Sequence, residues 1–72
     1  MLGKRQRLFL RALKERGGEA PLYDYDFVNA VYSGYNSYTV PSMLRIASSL
    51  EKRGIVALEF RNRRRYVVLL KR

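Results

Sequence analysis

The sequence predicts an α+β domain in which three helices are followed by a C-terminal β-hairpin. Three observations carry this. Apolar residues recur with helical spacing in three segments before Gly54. Glycines stand where helices should stop, at Gly17-Gly18 and at Gly54. After Gly54 the period changes, and IVALEF and YVVLL read as extended, β-branched and aromatic runs. A chain of 72 residues has room for one core, so residues 1–72 are expected to form a single domain. At that size only about 60% of the unfolded surface is buried. The chain contains neither cysteine nor histidine, so stability is expected from packing, and no thiolate or imidazole metal site and no cofactor is expected.

Helix 1 is read from Gly3 to Arg16, a stretch of strong helix formers in front of the double glycine. At 100° per residue, Leu2, Leu8, Phe9, Leu10, Ala12 and Leu13 form one broad apolar face. Lys4, Arg7, Arg11 and Lys14 form a basic stripe opposite, suited to phosphates or simply to solvent. Pro21 breaks the chain, and Asp24 and Asp26 precede Phe27, Val28, Ala30 and Val31, which predicts a short helix 2 over Asp24 to Tyr32. The turn Gly34-Tyr35-Asn36-Ser37 follows, and Ser37 or Thr39 is the expected cap of helix 3. That helix is expected to run to Arg53 with Met43, Leu44, Ile46, Ala47 and Leu50 inward. The two extended runs flank a polar tip of Arg61, Asn62, Arg63, Arg64 and Arg65, the pattern of a hairpin.

Charge narrows the function. Fifteen Lys and Arg face six Asp and Glu, a formal net charge of +9. Such a field attracts polyanions: nucleic acid, an anionic membrane surface or an acidic protein. No apolar run approaches the roughly 20 residues that span a bilayer, and the N-terminal stretch interleaves charges with its apolar residues. A cytoplasmic protein with no membrane partner is the expectation. Scarce Asn and Gln, absent Cys and abundant Arg match the composition of heat-adapted proteins.

The order helix, helix, helix, hairpin, with the stretch TVPSMLRIASSLEKRGIV from Thr39 to Val56, resembles the winged-helix branch of the helix-turn-helix superfamily. The phrase Leu50-Glu51-Lys52-Arg53-Gly54-Ile55 carries the likeness most closely, because it stands directly before the hairpin. The coarse pattern covers Lys4 to Leu70 and is most similar to small stand-alone archaeal or archaeal-virus winged-helix proteins. The chain departs from many family members in having no long dimerisation helix beside the module, which points to a monomer or weak homodimer.

The resemblance implies binding of double-stranded DNA, with helix 3 in the major groove and the wing on the backbone or minor groove, as a transcription regulator or an architectural protein. On helix 3, Ser42, Arg45, Ser48, Ser49 and Lys52 then face outward, and Arg45 is the candidate base reader through a guanidinium fork on guanine. Ser42, Ser49 and Lys52 are candidate groove or phosphate contacts. Tyr35, Asn36, Ser37, Tyr38 and Thr39 offer hydroxyl, amide and backbone donors at the positive helix end, although such residues also serve as ordinary turn formers. In the wing, Arg61, Arg63, Arg64 and Arg65 crowd positive charge that repels itself unless a polyanion neutralises it. Tyr23, Tyr25, Tyr32 and Tyr66 are expected at the edge of the core.

Two other readings belong to different classes. A structured-RNA or ribosome-associated protein fits the same charge. A protein-interaction module would instead expose an apolar patch, for which Leu10, Leu44 and the apolar residues of the hairpin, including Val56 and Val68, are candidates. An enzyme is not expected: His and Cys are missing, and the close pair Asp24 and Asp26 is accounted for by capping.

Overall fold

The computed structural model describes residues 2–70 and orders the elements α1 (Lys4–Glu15), β1 (Glu19–Pro21), α2 (Tyr25–Tyr32), α3 (Thr39–Lys52), β2 (Val56–Arg61) and β3 (Arg64–Leu69). This is an α+β fold with the layout of a winged helix. The hairpin is joined by a strand that the sequence did not reveal: β1 pairs antiparallel with β3, so the sheet order is β1-β3-β2 with β3 in the middle. The segment Glu19-Ala20-Pro21 carries no strand pattern of its own, and its Pro21 stands on an edge strand, where a missing amide hydrogen costs no ladder bond.

Helix ends follow from backbone chemistry. Gly17 and Gly18 both have positive φ, and their amides donate to Lys14 O and Leu13 O, which ends α1 in a Schellman motif. Gly18 O then accepts from Leu69 N at 2.6 Å, so the double glycine turns the chain directly from helix into sheet. Gly54 repeats the device after α3, its amide donating to Glu51 O and that of Ile55 to Leu50 O. Asp24 caps α2 by accepting from Phe27 N.

Phe9, Leu13, Leu22, Phe27, Val28, Met43, Leu50, Val56 and Val67 are fully buried between the helices and one face of the sheet. Phe9 of α1 and Phe27 of α2 pack with ring centroids 5.0 Å apart at 57°, a tilted geometry that favours the ring quadrupoles. Alternation along the strands sends Ala20, Val56, Val67 and Leu69 to the core. Glu19, Glu59, Arg61, Arg64 and Tyr66 share the other face. No helix among the described residues is long and apolar enough to cross a membrane.

Candidate nucleic-acid interface

Two neighbours fix how α3 is rotated. On one flank Ser49 Oγ accepts from Gln6 Nε2 of α1 at 2.7 Å and donates to Ile46 O. On the other flank Glu51 Oε2 accepts from Leu58 N of β2 at 3.0 Å, which also occupies an outward amide of an edge strand. At 100° per residue, the stripe between these flanks holds Tyr38, Pro41, Arg45, Ser48 and Lys52. Arg45 and Lys52 are exposed there. Ser49 is therefore corrected from an outward groove contact to a bridge between α1 and α3. Ser42 is half-buried and its hydroxyl donates to Tyr38 O at 2.7 Å, so its proton is not free for a phosphate.

The turn before α3 is a closed capping arrangement. Asn36 Oδ1 accepts from the amides of Tyr38 and Thr39 at 2.8 and 3.0 Å, and Thr39 Oγ1 accepts in return from Asn36 N. This reciprocal pattern makes Asn36, rather than Ser37 or Thr39 alone, the side chain that caps the turn leading into α3. It also corrects the expectation of free backbone donors: the amides of Tyr38 and Thr39 are already bonded, and the Asn36 and Thr39 side chains are committed to the cap. What the turn presents outward is Ser37 and two tyrosines. Tyr38 is 83% exposed and Tyr35 46%. Tyr35 packs on Tyr25, centroids 5.3 Å apart, and Tyr25 is itself exposed rather than at the edge of the core as expected.

The wing turns through Asn62 and Arg63 alone, since Arg61 pairs with Arg64. Both turn residues have positive φ, 48° and 65°, as a two-residue type I′ hairpin requires. This register decides which arginines are free. Arg61 lies over the Tyr66 ring at 5.0 Å, donates to Glu59 of its own strand, and donates to Glu19 of β1 at 3.1 Å. These partners, Glu59 first and Glu19 second, raise the pKa of Arg61 above the usual guanidinium value. Arg61 is thus corrected from a ligand contact to a clasp across the outer face of the sheet. Arg63, Arg64 and Arg65 are exposed and have no ion pair among the described residues.

Compared with known protein families and with curated proteins, the chain matches none. The residues themselves carry the functional reading. Of the apolar positions that a partner surface would use, Val56 is buried, Leu10 and Leu44 pack against the core, and Val68 is half-buried on the outer face of the sheet.

One of the hairpin's apolar side chains stands out on the surface. Phe60 points to the same sheet face as Val56 and Leu58, but it lies beyond the core and is 71% exposed. The strand alternation contained this signal. Only the register against Arg65 shows that the core ends before Phe60.

Proposed function

We propose that the protein binds double-stranded DNA, with α3 entering the major groove and the arginine wing lying on the adjacent backbone or minor groove. The observation that carries the reading is the uncompensated charge of Arg63, Arg64 and Arg65 on a wing whose neighbouring helix exposes Arg45 and Lys52. Four of the six carboxylates are engaged elsewhere: Glu19 and Glu59 hold Arg61, Glu51 holds an edge amide, and Asp24 caps α2. A solvated hairpin end needs polarity, but three unpaired guanidinium groups repel one another and are stabilised by phosphates.

On this reading Arg45 is the base reader, because it lies in the middle of the exposed stripe and its two-pronged geometry matches guanine O6 and N7. Lys52 and the wing arginines are phosphate contacts, which hold register without reading sequence. Tyr38, beside the start of α3, offers a hydroxyl to the backbone. Ser49 is turned to α1 and the Ser42 hydroxyl is bonded to the backbone, so the stripe keeps Ser48 and Arg45, of which Arg45 alone has the two-pronged geometry that discriminates. That favours modest sequence preference and an architectural role over a stringent operator reader.

The test is a salt-series titration by fluorescence anisotropy against random duplex DNA, hairpin RNA and single strands of equal length. The expected result is preference for the duplex, with log affinity falling linearly in log salt. Preference for the RNA hairpin would assign the surface to RNA instead, and absence of binding to all three would overturn the nucleic-acid reading.

A further inference from the structure

Where β1 ends, the wing continues, and the step between them leaves a cleft of about 300 Å³ lined by Pro21, Tyr23, Phe60, Arg63, Arg64 and Arg65. Leu22 N donates to Arg65 O at 2.8 Å, which holds the Pro21-to-Tyr23 segment alongside the wing. Phe60 and Arg65 are direct cross-strand partners on the same face, the arrangement in which opposed side chains come closest. On the face that Phe60 and Arg65 share, the cleft thus joins an aromatic side chain to a guanidinium group, with Tyr23 and the turn residue Arg63 also lining it and Pro21 and Arg64 reaching it from the far side of the sheet edge. A side chain as apolar as Phe60, left 71% exposed on a hairpin, gives up burial it would gain at a core position.

We propose that this cleft takes an unpaired nucleotide, with its base stacked on Phe60 and its phosphates held by Arg65 and the turn residue Arg63, so that the wing favours DNA at a bulge over continuous duplex. The inference rests on the DNA-binding reading above. An aromatic face accepts any base, because every base has a π-face, and the flanking guanidinium groups match the charged backbone on either side of it. A base inside a duplex cannot enter the cleft without unstacking, whereas at a bulge that cost has already been met. The volume is at the low end of small-molecule sites, in keeping with one base as its occupant. Helix α3 and the wing then divide the work: α3 holds the duplex arm, and the wing holds the base that is out of the stack.

The experiment compares a perfect duplex with the same duplex carrying one extra 2-aminopurine nucleotide, for the intact chain, Phe60→Ala and Phe60→Tyr. The expected result is about tenfold tighter binding of the bulged duplex, in line with base–aromatic stacking, with a change in 2-aminopurine emission on binding. Phe60→Ala should lose that preference and the emission change, and should keep its affinity for perfect duplex within about twofold; Phe60→Tyr should retain the preference. Because Phe60 is exposed, both variants are expected to fold, which circular dichroism checks. Equal affinity of the intact chain for the two duplexes, or a preference that survives Phe60→Ala, overturns the inference and leaves the duplex-binding reading in place. Failure to bind either duplex overturns both.

Discussion

Arg63 is held at φ 65°, a left-handed conformation in which an L side chain crowds the following carbonyl oxygen. Asn-Gly is the favoured pair for such a turn, and here the second position carries arginine instead. Replacing it with glycine should relieve the strain: Arg63→Gly is expected to stabilise the fold by about 1 kcal/mol in urea denaturation. The same change should weaken duplex binding through loss of a cation. If stability does not rise, the turn is not strained; if affinity is unaltered, Arg63 is no contact. Stability given up at a position that displays a charge is the mark of a residue kept for what it touches. The neighbouring Arg61 behaves oppositely. A cation whose pKa rises on folding contributes stability below its unfolded value and loses it only as pH climbs through the folded value. The Arg61 clasp therefore adds no pH dependence around neutrality from the arginine itself.

At the scale of elements, the wing is one charged unit with a separable structural base. Changing Arg63, Arg64 and Arg65 together to alanine should weaken binding to every duplex and make the salt dependence shallower by up to about 0.9 per lost phosphate contact. Arg61→Ala should leave the salt slope unchanged while lowering the melting temperature, because its partners are Glu19, Glu59 and Tyr66. A slope that responds equally to both variants would dissolve this distinction. The helices themselves were legible in the sequence, since the period of Phe9, Ala12 and Leu13 and the stops at Gly17 and Gly54 are local signals. Strand β1 was not: Glu19-Ala20-Pro21 becomes extended because β3 offers it a partner, and that partner is distant in sequence. The exposure of Arg45 and of Arg63 to Arg65 was legible, because a charge without a partner stays in water. The candidate site was misread at Ser49 and Arg61, whose roles depend on how α1 approaches α3 and on which residues form the hairpin turn.

The whole molecule carries a charge of +9, and the ion pairs among its described residues meet at Arg61. Self-repulsion therefore opposes the folded state at low ionic strength, while the same field favours a polyanion. Raising salt from about 50 to 200 mM should increase the melting temperature of the free domain as it lowers duplex affinity. Calorimetry showing a melting temperature that falls with salt would contradict this. One further consequence follows from β3 being both the middle strand of the sheet and the last of the six elements in chain order. A ribosome delivers the chain from its amino end, so α1 and α2 can meet through Phe9 and Phe27 while β1 still waits for a partner. Nothing bridges β1 to β2 until Arg64 to Leu69 emerge, and the sheet then closes as a late, long-range step. Until that moment the nascent chain has its helical half but no formed hairpin, and the arginine-bearing turn takes shape only in chains synthesised through Leu69.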